Sequence, residues 1–197
     1  MADVFTRIIS KASSMEFNRN STEARDWLRT KARQVSKVNE ATLLQQRKGQ
    51  LMSTMTRFGI GRMFMFMYDP KYKETLPFYD RFPLVMPFGI HNDGFIGINF
   101  HYLPLPLRAR LMDNLYTVIN NDAYNDTTKI KLSYNLLVSS AKFRYVKPCI
   151  KQYLFNHVKS RFLYIPPEEW DVALFLPTER FSKAKKDQVF KNSRASI

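Results

Sequence analysis

Apolar positions change their period several times along this chain, and each change marks an element. Val4, Ile8, Ile9 and Ala12 sit at helical spacing and predict a short N-terminal helix, with Arg7 and Lys11 on its outer side. The following segment, NSTEARDWLRTKARQVSKVN, carries the clearest helical pattern. Ala24, Trp27, Leu28, Val35 and Val38 form its apolar face, and Asn20 is placed to cap it with Glu23 three residues on. ATLLQQRKGQLMSTMTRF is weakly helical and breaks at Gly49. Met63 to Tyr68 are all apolar or aromatic and stop at Asp69-Pro70, too soon for a helix, so they predict a strand buried on both faces.

The second half alternates in the same way. PLVMPFGIHNDGFIGINFHYLP predicts a β-hairpin over residues 83–102, turning at His91-Asn92-Asp93-Gly94. After the turn, Ile96, Ile98, Phe100 and Tyr102 alternate with Gly97, Asn99 and His101, the pattern of one buried face. PLPLRARLMDNLYTVINN predicts a helix with Pro106 in its first turn and Leu107, Leu111, Leu115 and Val118 inward. Asp126 is placed to cap the next helix, with Ile130, Tyr134 and Leu137 inward. KPCIKQYLFNHV predicts a helix from Pro148, SRFLYIPP a strand, and EEWDVALFLP a helix ending at Pro177. The fold class is α+β, helices surrounding a small mixed or antiparallel sheet. Three stretches follow: a basic helical segment (1–57), an α+β core (58–177) and a basic tail (178–197) with Lys183, Lys185, Lys186, Lys191 and Arg194.

One stretch has no period. YDPKYKETLPFYDRFPLVMPF, residues 68–88, holds four prolines and six aromatics. Pro70 ends the preceding strand, and Pro77, Pro83 and Pro87 stiffen a connection that loses little entropy on ordering. It reads as a packed scaffold loop and not as a binding site.

Charge changes the picture. The 197 residues carry 31 Lys+Arg against 17 Asp+Glu, a net charge of +14, which implies a polyanionic partner: nucleic acid, an anionic membrane surface or an acidic protein. The excess is segregated, with +6 in residues 1–57, −1 in 58–126, +8 in 127–167 and +1 in 168–197. Residues 127–167 hold eight basic side chains and no acidic one: Lys129, Lys131, Lys142, Arg144, Lys147, Lys151, Lys159 and Arg161. They interleave with Tyr134, Phe143, Tyr145, Tyr153, Phe155 and Phe162, a composition that suits phosphate neutralisation and base stacking, although several of these aromatics fall at helical spacing and read better as core. Arg25, Arg29, Arg33 and Lys37 recur every four residues, a stripe of about 18 Å along a helix flank. That stripe either tracks phosphates or is a solvated face. The candidate nucleic-acid-binding residues are therefore Arg25, Arg29, Arg33, Lys37, Lys142, Arg144, Tyr145, Lys147, Lys151, Lys159 and Arg161.

Catalytic motifs are missing. There is no nucleophile elbow, no Walker loop and no zinc spacing, and Gly59-Ile60-Gly61 leads into a strand as a bend. His91, His101, His157 and the single Cys149 match no metal pattern, and one cysteine excludes an intrachain disulfide. Asp69, Asp80 and Asp93 could hold a divalent ion for phosphodiester cleavage, but each has a structural role instead, in ending a strand, pairing with Arg81 and forming a turn respectively. No apolar run reaches the ~18 residues of a membrane span, and the N-terminus lacks a secretory signal's apolar stretch. The expectation is a non-enzymatic protein without cofactor, metal, small-molecule substrate or membrane.

YDPKYKETLPFYDRFPLVMPF, DGFIGINFHYLPLPLRARLMDNLY and HVKSRFLYIPPEEWDVALFLPTERF together resemble small virion proteins of T-even-like tailed phages labelled DNA end protectors, over residues 22–197. The resemblance implies a protein that binds double-stranded genome ends and shields them from host exonuclease. It would reside in the virion, and in the host cytoplasm during assembly, beside other virion proteins. The family offers no catalytic motif to carry over. The alternative is a structural head, neck or baseplate subunit whose basic surface docks acidic partner subunits.

Overall fold

The computed structural model describes residues 2–15, 21–52, 58–119, 121 and 123–195. Among them the helices are α1 (Val4–Ser13), α2 (Thr22–Arg33), α3 (Glu40–Gln46), α4 (Leu105–Ile119), α5 (Asp126–Ala141), α6 (Trp170–Ala173) and α7 (Lys186–Ala195). The strands are β1 (Leu51–Met52), β2 (Met63–Met65), β3 (Tyr79–Asp80), β4 (Leu84–Ile90), β5 (Gly94–Asn99), β6 (Ile150–Leu154), β7 (Phe162–Ile165) and β8 (Phe181–Ser182). Six strands form one antiparallel sheet in the order β1-β7-β2-β4-β5-β6, and β3 pairs with β8 in a separate ribbon. The fold is α+β, with the expected hairpin closed by His91 N donating to Gly94 O at 2.8 Å.

The MFMF run formed by β2 and the residue after it shows why the sheet has two cores. Side chains alternate across a strand, so Met63 and Met65 enter one cluster and Phe64 and Phe66 the other, and all four are fully buried. The larger cluster lies under the helices and joins Leu84, Met86, Ile98 and Ile165 to Phe5, Leu115, Leu137 and Val172. The smaller cluster is aromatic. Phe58 lies over it, its ring 4.9 Å from Phe64 and 4.7 Å from both Phe95 and Phe162. Gly61, at φ 76°, makes the bend into β2. Gly97 has no room for a side chain, since a Cβ would stand 2.5 Å from Val85 Cγ1.

Two covered faces correct the single buried face expected beyond the turn: Asn99 and His101 are as buried as Ile98 and Phe100. Other expectations shift as well. Ser21 caps α2 by accepting from Ala24 N, while Asn20 lies outside the described residues. Asn125, one residue before Asp126, caps α5. The helix expected from Pro148 is instead a 3-10 turn over Lys147–Cys149 followed by β6. Five-residue pairing with β5 and the burial of Tyr153 among aromatics override the local helical period. The residues expected as a tail are packed: Phe181 pairs in β8, and Val189 of α7 joins the same cluster as Phe5.

The proline-rich stretch divides. Phe82 is buried in the larger cluster and Phe78 packs 6.1 Å from the Tyr102 ring, whereas Tyr72 is 63% exposed. Asp80 anchors the stretch. Its carboxylate accepts from Phe82 N (3.1 Å), Arg180 N (3.1 Å) and Asn99 Nδ2 (3.2 Å), and lies 2.6 Å from His101 Nδ1. Burial alone would raise its pKa, but the His101, Asn99 and Phe82 contacts hold it below the usual carboxylate range.

Arg108 is a fully buried cation. It donates to the carbonyls of Leu103 (2.8 Å), Leu174 (2.8 Å) and His101 (3.1 Å) and to Glu179 (2.7 Å). Burial penalises the Glu179 carboxylate, yet His101, Arg108 and Lys186 outweigh it and lower its pKa from 4.5 to about 2.

This packing sets the cost of two substitutions. Phe82→Ala should lower unfolding free energy by about 3 kcal/mol in urea titration, as for a truncated buried aromatic. Glu179 has a depressed folded-state pKa, so its contribution, roughly 3 kcal/mol, is full above pH ~4.5 and is lost as pH falls towards ~2. The stability difference between the native chain and Glu179→Gln should therefore be large at pH 7 and shrink across that window.

Candidate nucleic-acid interface

The α2 stripe does not stand free. Arg25 Nε lies 3.2 Å from Asp171 and its Nη2 bonds Asp113; Arg29 reaches Asp171 and Asp113, both at 2.6 Å. The Arg25 guanidinium also lies 3.9 Å from the Tyr116 ring centroid. Both arginines are buried, which corrects the exposed stripe. They pin α2 to α4 and α6, while Trp27 and Leu28 of the expected apolar face are only half-buried. Ion pairing with carboxylates far along the chain chose the inward side of this helix. Arg33 is exposed, 5.2 Å from the Phe175 ring. Because α2 ends at Arg33, Lys37 leaves the helical register and instead lines a cleft of about 540 Å³ with Lys185 and Arg180.

The segment without carboxylates is different. Between α5 and β6 the chain makes a tight turn, with Phe143 N donating to Ser140 O (3.0 Å) and Val146 N to Phe143 O (2.9 Å). Buried Val146 and Cys149 anchor it from below. Lys142, Arg144 and Lys147 are exposed on it, and between them stand Phe143 and Tyr145, 66% and 59% exposed. Exposed large aromatics held among cations are the groups that stack on bases and meet phosphates. Tyr153 is not among them: it is buried, its hydroxyl accepting from Asn99 Nδ2 at 3.1 Å. Lys151 is half-buried, its ammonium 4.3 Å from the Tyr102 ring centroid. Lys159 and Arg161 are exposed on the connection from β6 to β7.

The proline-rich stretch returns here, along β6. Tyr72, Phe78 and Tyr79 on one side and residues 150–154 on the other enclose a cavity of about 520 Å³. Lys183, at φ 68°, holds that loop by donating to the carbonyls of Lys73 (2.6 Å), Glu74 (2.8 Å) and Leu76 (3.3 Å). This clamp was not legible in the sequence, where Lys183 read as part of a basic tail.

One array has the form of a catalytic relay: Asp80 beside His101 Nδ1, and His101 Nε2 3.1 Å from Thr178 Oγ1. Thr178 and His101 are both fully buried, so in this arrangement no substrate reaches the hydroxyl. The array ties β5 to the C-terminal segment. Burial pushes the Cys149 thiol up to about 12, which keeps it unreactive. Among the described residues, no group of three or more His, Cys, Asp or Glu could hold a metal ion, and no helix is long and apolar enough to cross a membrane.

A rigid α+β body that displays cations and aromatic rings together belongs to the class of proteins that attract polyanions. The particular family is that of the phage T4 terminal DNA protecting protein, whose family model matches residues 15–195; the chain belongs to it. The resemblance carried by the aromatic and hairpin segments thus identified the family, a bacteriophage family of DNA-end protection. No match was found among curated proteins or solved structures.

The Arg25–Arg29 network generates a stability prediction. Arg29→Gln should destabilise by about 3 kcal/mol in chemical denaturation, because it leaves buried Asp171 short of a partner. A variant as stable as the parent would return Arg29 to the surface.

Proposed function

We propose that this protein binds the ends of linear double-stranded DNA and shields them from exonuclease by occupancy, without chemistry of its own. The observation that carries this reading is the turn at residues 142–147, where Phe143 and Tyr145 stand exposed among Lys142, Arg144 and Lys147. Phosphate contacts position a protein on duplex DNA but do not distinguish an end from the middle. An aromatic ring does, because only a terminal base pair has an open face. In this reading Lys142, Arg144, Lys147, Lys159 and Arg161 neutralise phosphates of the last turn of duplex, and Tyr145 or Phe143 covers the terminal pair. Lys151 sits deeper, and Arg33 and Lys37 supply weaker contacts elsewhere. The protein acts on the phage genome, in the virion and during assembly, next to other virion proteins.

Affinity for linear duplex should fall with salt, with a log–log slope of roughly −4.5 for about five phosphates neutralised. Replacing Lys142 and Lys147 together by Gln should reduce that slope by about 2. Tyr145→Ala should leave the slope nearly unchanged and abolish protection of linear DNA from a processive exonuclease. The decisive control is circular DNA of equal length as competitor. If it competes fully and protection appears only at saturating coverage, end recognition is wrong and a structural virion subunit becomes the better reading.

A further inference from the structure

The cavity along β6 has the parts of a nucleotide site. Among the described residues β6 is the last strand of the sheet, and its outer side faces the proline-rich loop. Tyr72, Phe78, Tyr79 and Tyr102 supply aromatic walls. Tyr102 is already in contact, 5.1 Å from the Phe181 ring and 6.1 Å from Phe78, whereas Tyr72 keeps most of its surface in solvent. Lys151 projects into the same space. Among the described residues no carboxylate pairs with its ammonium, which rests only on the Tyr102 ring. A half-buried ammonium without a counter-ion is costly, and burial pushes its pKa down. An anion bound there would remove that cost. Two carboxylates also line the cavity. Asp80 is saturated by His101, Asn99 and two backbone amides, and Asp93 lies in the exposed hairpin turn. Neither pairs with Lys151, and Asp93, exposed at the rim, can accept from the exocyclic amino group of a base.

The position of the cavity matters as much as its lining. Ile150 follows Lys147 by three residues, at most ~11 Å of backbone, so the exposed basic turn leads directly into the cavity wall. Past the other end of β6, Lys159 N donates to Met67 O at 2.8 Å and His157 Nδ1 lies 2.8 Å from Asp69 O, which sets Lys159 and Arg161 beside the base of the same loop. Exposed cations therefore bracket an aromatic recess that holds an unpaired one.

We propose that this cavity receives the terminal nucleotide of one DNA strand, unpaired from its partner, with its base against Tyr72 and its phosphate on Lys151. The proposal rests on the reading that the protein binds DNA ends, and adds a second means by which an end is told from a continuous strand, with Tyr145 or Phe143 then covering the first pair that stays closed. A terminal pair is stacked on one side only, so opening it costs less than opening an internal pair, and stacking on tyrosine offsets that cost. An interior nucleotide has backbone on both sides and two stacked neighbours, and its insertion is disfavoured.

The test uses the full chain and a 5′-phosphorylated single-stranded tetranucleotide with 2-aminopurine as its terminal base. A second arm carries 2-aminopurine at the 3′ end, and a third carries it within a closed single-stranded circle. Binding should quench at least one terminal probe and leave the circular one bright. Tyr72→Ala, at an exposed position, and Lys151→Met, which keeps the apolar stem, should each weaken tetranucleotide binding about tenfold or more with unchanged melting temperature. Absence of tetranucleotide binding by the native chain, or parental binding by both variants, overturns the cavity assignment. Failure of the broader reading looks different. If Tyr72→Ala still protects linear duplex while Tyr145→Ala does not, the cavity is wrong and end protection stands. If the tetranucleotide binds through Tyr72 but linear duplex is not protected, the cavity stands as a nucleotide site and end protection falls.

Discussion

A charge can be buried only if an opposite charge or a full set of hydrogen bonds is buried with it. That constraint governs this molecule. Asp171 is matched to Arg25 and Arg29, Glu169 to Arg47, Glu179 to Arg108 and Lys186, and Asp80 to the His101 side chain and backbone amides. The interior is thus close to neutral, and the net +14 of the chain has to be carried outside.

The same buried contacts join parts of the chain that apolar packing alone would leave weakly connected. Arg47 reaches Asp3 at 3.0 Å and so fastens α1 to the start of the sheet region. Arg108 draws α4, the residues after β5 and the segment before α7 onto one guanidinium. Arg180 bonds Glu40 at 3.1 Å and Val38 O. Replacing such groups by apolar ones can be neutral for stability, but removing one partner strands the other. Their contribution is a unique arrangement of helices around the sheet, and that arrangement fixes where the turn at 142–147 and the proline-rich loop stand.

Those two features are rigid for different reasons. The turn is short, internally hydrogen-bonded and anchored by Val146 and Cys149. The loop is stiffened by proline and clamped by Asp80 on one side and the Lys183 ammonium on the other. Under the proposed function such presentation matters, because a side chain already held in place loses little ordering entropy when DNA binds. The aromatic cluster of Phe58, Phe64, Phe66, Phe95 and Phe162 supports the far face of the sheet and makes β6 a firm wall.

By itself the sequence determined the elements whose signals are local. The hairpin follows from HNDG between alternating apolar residues, β2 from an apolar run cut by Asp69-Pro70, and α1, α2 and α4 from helical spacing. It also determined the basic charge and the exclusion of acid from residues 127–167, since composition does not depend on folding. The family, too, was legible from the aromatic and hairpin segments. Tertiary structure decided what depends on distant partners. Arg25 and Arg29 look the same as Arg33 along α2; only the approach of Asp113 and Asp171 makes them core residues. Tyr153 looks the same as Tyr145 in a basic–aromatic run; only pairing of β6 with β5 buries one and leaves the other in solvent. A period is encoded within a few residues, but the choice of which charge or ring turns inward is made by groups that sequence distance hides.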